Sequence, residues 1–191
     1  MAAAFRCSVG FKFLPTDREL VGYYLFNKIY AKTESFTDVE KVLVKECDIY
    51  GSQEPWQIWE LYGGDDLEDS QALHLFTRQK KVSVNGSRIS RRVGSGTWAG
   101  DDCGEKIVAG NVAGCKKRFR YENQDSSHNG AWIMHEFALD SKALGIHDQD
   151  IVVCRLKKNL FRQKKRRSRR VKLGNFEPST SHVSDHSSLA I

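Results

Sequence analysis

Arginine and lysine at strand spacing are the residues whose type and pattern imply chemistry here, and that chemistry is the neutralisation of phosphate. From Ser70 to Gly100 there is no Asp or Glu, while Arg78, Lys80, Lys81, Arg88, Arg91 and Arg92 all fall in that interval. A second cluster follows at Lys116, Lys117, Arg118 and Arg120. The cations are interleaved with Val82, Val84, Ile89, Val93, Phe119 and Tyr121, the pattern of strands charged on one side and apolar on the other. In CKKRFRY the alternation puts Lys116, Arg118 and Arg120 on one face and Lys117, Phe119 and Tyr121 on the other. A row of cations at every second position is costly unless water or a polyanion covers it. Either cluster alone reads as a solvated edge that discourages aggregation. Two clusters separated by glycine-rich turns read as a surface for phosphates.

Acid–base and nucleophilic candidates are few. The histidines are His74, His128, His135, His147, His182 and His186. His135 and Glu136 are neighbours in a strand pattern, so their side chains point to opposite faces and form no dyad. Cys154 and His135 could be close in space, which spacing alone does not decide. No nucleophile elbow, Walker motif or dinucleotide fingerprint is present. Asp101, Asp102 and Glu105 could hold a metal for a nuclease, or serve as ion-pair partners of the cationic strands, which is the better reading. The cysteines, Cys7, Cys47, Cys103, Cys115 and Cys154, are odd in number and widely spaced, with no C-x-x-C pair. That argues against a zinc site and a disulfide framework and for reduced thiols. No metal, cofactor or small-molecule substrate is expected, and no enzymatic activity.

These residues must be held by short strands. QALHLFT reads as a buried strand, Asn85-Gly86 is a hairpin signal, and strands follow at 87–93, 97–99, 105–109, 115–121, 131–139 and 150–156. Several short strands with hairpin turns imply an antiparallel sheet. Upstream, Thr16 with Glu19 is a capping box and starts a helix over 17–29, with Gly22 as a weak point. Val42 and Val44 alternate with Leu43 and Lys45, which suggests a short strand. Pro55 suits the first position of a second helix, where Trp56 and Trp59 share a side and anchor a core. The run 63–70 reads as a surface loop with solvated carboxylates.

The charge is segregated. The formal total is +6 over 191 residues, yet residues 1–69 carry −6, 70–120 carry +8, 121–154 carry −5 and 155–191 carry +9. A cationic face on an acidic body is the implied arrangement. No apolar run approaches the roughly 18 residues of a membrane span, and the N-terminus lacks the apolar core of a signal peptide. Residues 1–9 read as flexible, 10–158 as one domain and 159–191 as a basic, then Ser-rich, disordered tail. The cationic run Lys157, Lys158, Lys164, Lys165, Arg166, Arg167, Arg169 and Arg170 is a candidate nuclear import signal.

Five motifs in order give a resemblance. GFKFLPTDRELVGYYLFNK, Glu54-Pro55-Trp56, NGSRISRRVGSGTW, the Gly114-x-Lys116-Lys117 element, and AWIMHEFAL with IVVCRLKK resemble the successive subdomains of the plant NAC transcription factors over about residues 10–158. The resemblance implies a mainly β, α+β fold: a twisted antiparallel sheet flanked by a few short helices. It implies a nuclear, DNA-binding transcription regulator that pairs with itself or with NAC-like relatives and places a sheet edge in the major groove of double-stranded DNA. By carry-over, Lys12 and Glu19 form a reciprocal ion pair across the dimer, flanked by Phe11 and Phe13. The DNA-facing residues become Lys80, Lys81, Arg88, Arg91, Arg92, Thr97, Trp98, Ala99, Lys116 and Lys117, with Arg118 and Arg120 from the cationic strand.

The departures from the family pattern also have implications. Ala99 stands where the family has a lysine after the tryptophan, and Asp101 and Asp102 follow early. The loop ENQDSSHNG is acidic and polar where relatives are basic. Strand parity pairs Arg88 with Arg92 and leaves Arg91 for a flanking phosphate or for Asp101 or Asp102. An alternative function follows: a divergent interaction subunit that pairs with an intact relative and modulates its DNA binding.

Overall fold

Thr16 opens the first helical segment by accepting from the Glu19 N–H, while the Glu19 carboxylate takes the Thr16 N–H at 2.7 Å. This is the box expected from the sequence. The computed structural model describes residues 12–30, 36–83, 86–140 and 150–160. The segment begins as α1 (Asp17–Glu19), continues as a π-helical stretch over Leu20–Leu25 and ends as α2 (Phe26–Tyr30). Gly22 is required by packing: a Cβ there would lie 2.6 Å from the Cβ of Ala109. A second box, Thr37 with Glu40, starts α3 (Asp38–Leu43). The strand suggested around Val42 is therefore helix up to Leu43, and β1 occupies only Val44–Glu46. Two orphan donors met by Thr37 and Glu40 outweigh the β-branched alternation. As expected, α4 (Pro55–Leu61) begins on Pro55.

The remaining strands are β2 (Leu73–Arg78), β3 (Arg92–Val93), β4 (Gly96–Gly100), β5 (Glu105–Ala109), β6 (Val112–Glu122), β7 (Trp132–Leu139) and β8 (Ile151–Lys158). They form one sheet in the order β1-β2-β8-β7-β6-β4-β3, with β5 paired to the first half of β6. Every pair is antiparallel except β1–β2. The fold is thus α+β and mainly β. The strand expected over 87–93 shrinks to Arg92–Val93 plus a bridge between Lys81 and Ile89. Asn85 of the hairpin signal lies outside the described residues.

Register assigns the faces, because directly opposed residues share one. Phe119, Met134 and Leu156 are opposed in turn on β6, β7 and β8 and enter one core with Trp59, Trp98, Tyr121 and Trp132. On the other face Phe137, Val153 and Phe76 are opposed and meet Leu20, Leu25 and Phe36 in a second core. Burying each such side chain contributes about 1.5–3 kcal/mol. Trp59 is core as expected, at 4% exposure, while Trp56 stacks on His128 at 4.0 Å. No described helix is long and apolar enough to cross a membrane.

Candidate nucleic-acid interface

The sheet ends at β3, and the turn that joins β3 to β4 is held by Glu54 at the start of α4. One oxygen of Glu54 accepts from the Ser95 N–H at 2.7 Å and its hydroxyl at 2.5 Å, and the other from the Tyr121 hydroxyl at 2.8 Å. Gly94 has φ +51°, and a Cβ there would fall 2.3 Å from the Glu54 carboxyl carbon. Only glycine both adopts that backbone and admits the carboxylate. Glu54 was missed as a positioning residue; its place three residues before Gln57 marks only a helix start.

Within β4 the alternation fixes what faces outward. Trp98 is 1% exposed, and its indole N–H points to the Ile49 carbonyl at 3.4 Å. Its side chain belongs to the core, and its part in any surface is to anchor the strand. Thr97 and Ala99 take the opposite side, opposed by Arg92 and Arg120 respectively. The Thr97 hydroxyl donates to the Arg91 carbonyl at 3.0 Å. Ala99 has no donor, so the outward side of this strand carries little polar reading capacity.

The expected cations divide into two groups. Arg88, Arg92 and Lys117 are exposed, and among the described residues none of them meets a carboxylate. Lys80 pairs with Asp48, while exposed Lys81 bridges to Ile89. The row on β6 does lie on one face, but the protein's own acids cover it. Lys116 meets Asp17 at 2.7 Å and also Glu105; Arg118 meets Asp101; Arg120 meets Glu122 at 2.8 Å and Asp101 at 3.7 Å. The repulsion along the row is thus relieved internally. Asp101 pairs with Arg118 and Arg120 and not, as parity suggested, with Arg91. Asp102 accepts the backbone N–H groups of Gly104 and Arg118 at 3.1 Å.

Arg91 is the main correction. Its guanidinium grips Glu136 with both nitrogens, one at 3.1 Å, and donates to the Tyr50 hydroxyl at 2.6 Å. It lies over the Phe119 ring at 4.4 Å and the Tyr50 ring at 5.3 Å. Glu136 is 3% exposed, and the Tyr50 hydroxyl donates to it. Burial pushes the Tyr50 phenol well up, which keeps it a donor. The signal for this network was present: Glu136 follows Trp132 and Met134 at core parity, where a carboxylate requires a buried cation.

Cys154 and His135 sit on adjacent strands but on opposite faces, since Cys154 opposes Glu136 and His135 opposes Arg155. They cannot act together. Lys157 and Lys158 belong to β8, and Lys158 reaches Asp65 at 3.0 Å and lies over the Trp59 ring. Both are held in a paired strand and not in a tail, opposite Ile133 and Trp132 respectively. Lys164, Lys165, Arg166, Arg167, Arg169 and Arg170 lie outside the described residues, as does Phe11. Lys12 meets Glu68 of its own chain at 2.7 Å with both side chains about half exposed, and Glu19 is engaged in its capping box. Phe13 packs edge-on to Tyr24 and His74. Beside them Leu14 and Tyr23 are exposed by 57% and 41%.

Comparison with known proteins agrees with the motif order. The family described as No apical meristem (NAM) protein matches residues 8–139. NAC domain-containing protein 101 of Arabidopsis thaliana is 33% identical over 150 residues, 76% of this chain and 41% of the relative. NAC domain-containing protein 7 of the same plant is 31% identical over 180 residues, 92% of this chain and 42% of the relative. NAC domain-containing protein 54 of Oryza sativa subsp. japonica is 33% identical over 138 residues, 70% of this chain and 20% of the relative. The chain spans less than half the length of these relatives. With the family match across most of its sheet and the motifs in order, the chain belongs to the NAM family of plant NAC-domain proteins.

Proposed function

We propose that the chain regulates transcription by binding double-stranded DNA as a dimer, with the β3–β4 edge in the major groove. The observation that carries this is the edge itself. It exposes Arg92 opposite Thr97, and among the described residues Arg88, Arg92 and Lys117 have no counter-charge. Phosphates supply that charge and position the protein, while base edges carry the sequence. The N-terminal segment around Lys12, Glu19, Leu14 and Tyr23 is the dimer surface on this reading. Its partner is a second copy or a NAC-like relative, and the working compartment is the nucleus; exclusion of the tagged chain from nuclei would count against that. Fluorescence anisotropy with a mixed-sequence duplex tests the DNA reading. Log affinity should fall by about 0.9 per contacted phosphate per log unit of salt. No binding of the purified dimer at low ionic strength would overturn it.

One observation favours a second reading, an interaction subunit that pairs with an intact relative and weakens its binding. Asp101 occupies Arg118 and Arg120, and Ala99 gives β4 no donor. A homodimer that binds no DNA but joins a DNA-binding relative would establish that reading instead.

A further inference from the structure

The face of the sheet opposite the Trp98 core brings His135 and Lys157 alongside Arg118 and Arg120, two of the cations expected to face DNA. Ile133 on β7 is opposed by Arg120 and Lys157, and His135 by Arg118 and Arg155. Opposed residues share a face and adjacent strands lie about 4.8 Å apart. His135 is therefore flanked directly by Arg118 and Arg155, with Lys116, Arg120 and Lys157 diagonal to it. Four of these five cations have carboxylates: Asp101 serves Arg118 and Arg120, Asp17 serves Arg155, and Asp17 and Glu105 serve Lys116. Half-buried Lys157 meets none among the described residues. Burial, Arg155 and Arg118 together hold its ammonium below the usual lysine range. The His135 Nδ1 is buried without a hydrogen-bond partner. Burial and the cations Lys157, Arg155, Lys116 and Arg118 push its imidazole down to about 4. A lysine without a counter-ion beside a buried, unpaired imidazole nitrogen is a site short of one anion.

The position favours a particular anion. Ala99 opposes Arg120, Arg120 opposes Ile133 and Ile133 opposes Lys157, so the face runs unbroken from β4 to the lysine. Three strand spacings are about 14 Å, enough to climb out of a major groove about 8.5 Å deep. With β4 in the groove, Lys157 stands at the groove's rim, where the backbone passes.

We propose that Lys157, with Arg118 and His135, seats one phosphodiester of the DNA whose groove takes β4. This rests on the DNA-binding reading above. The bound oxyanion supplies the charge that Lys157 lacks and favours a proton on His135, whose ring then donates to it.

The test compares the wild type with Lys157→Ala and Lys157→Arg in anisotropy salt titrations on a mixed-sequence duplex. Lys157→Ala should lower the log–log salt slope by about 0.9 and weaken all sequences alike; Lys157→Arg should restore both. In parallel, inorganic phosphate is titrated into the DNA-free chain while the His135 ring is followed by NMR. Its pKa should rise in the wild type and stay put in Lys157→Ala. An unchanged slope in Lys157→Ala overturns the DNA assignment, and with a phosphate-dependent His135 shift it marks a site for free phosphate only. If the wild type binds no DNA, the DNA reading fails by itself. The NMR arm then decides the seat: no His135 response to phosphate overturns it.

Discussion

Replacing Arg91 by alanine separates two roles that sequence alone confounds. A DNA contact would lose affinity and leave the fold intact. The structure implies the reverse order of events. Arg91→Ala strands Glu136, 3% exposed, without its cation. Breaking a buried pair in this way costs about 3–5 kcal/mol. The contacts over Phe119 and Tyr50 add about 0.5–2 kcal/mol. Against the roughly 5–15 kcal/mol that holds a domain together, the variant should be close to unfolding at ambient temperature. With a urea slope of about 1–3 kcal/mol per molar, its midpoint should fall by a molar or more. Arg91→Lys should recover little, because an ammonium cannot grip both oxygens. Arg91→Met combined with Glu136→Met should recover most, since no charge is then left buried. Urea unfolding followed by tryptophan fluorescence reads all of these. If Arg91→Ala stays within about 1 kcal/mol of the wild type yet loses DNA binding, Arg91 is a DNA contact and the core assignment is wrong.

Other expectations concern the edge, the dimer and acid. Ala99→Lys places a cation beside Arg92 and Arg120, and should raise the salt slope by about 0.9 and sharpen the preferred site in an oligonucleotide selection; an unchanged consensus would show that base reading does not depend on this position. If the chain pairs as proposed, Lys12→Glu should weaken the dimer in sedimentation velocity by about 1 kcal/mol, because exposed pairs are weak; an unchanged dimer would remove Lys12 from the interface. Stability should fall as pH drops below about 6.5. Burial, then Arg155, holds His74 down to about 3, and burial with four neighbouring cations holds His135 down to about 4. Below pH 6.5 the unfolded chain therefore binds protons that the native state refuses. His74, 4% exposed and packed against Phe13 and Arg155, should contribute a slope approaching about 1.4 kcal/mol per pH unit. The more open His135 adds a screened part of that. Asp17 is disfavoured by burial but held below its usual range by Lys116 and Arg155, so its contribution disappears only as pH falls through the carboxylate range. Urea midpoints that stay flat between pH 7 and 5 would refute the histidine assignment.

What the sequence made legible was periodic or local. The Thr16 box, the Pro55 helix start, the parity of Lys116, Arg118 and Arg120, and the strands from β4 onward all follow from spacing along one segment. What it hid was partnership across the chain. Strand parity showed that Arg91 and Arg92 diverge, but not that Glu136, 45 residues on, was the partner. It showed a row of cations on β6 and read Asp101 and Glu105 as partners for such cations, as they are, but not that Asp17, 99 residues before Lys116, would join them. The import run was read through Lys157 and Lys158 because composition changes there, whereas pairing continues to Lys158. Val42 misled because alternation over four residues is weaker than a reciprocal cap.

The place of β8 has a consequence for how the chain acquires its shape. It is the last of the described strands in sequence, yet it lies between β2 and β7. Until it arrives, β1 and β2 have no link through the sheet to the strands that carry the basic edge, and two bare strand edges face water. Contacts as distant as Leu73 with Leu156 must close late, so the domain should fold slowly for its size. During that interval the open edges of β2 and β7 can pair with other chains. A nascent chain interrupted before Ile151 should therefore accumulate as aggregate, with the basic segment already synthesised but not yet arranged as a surface.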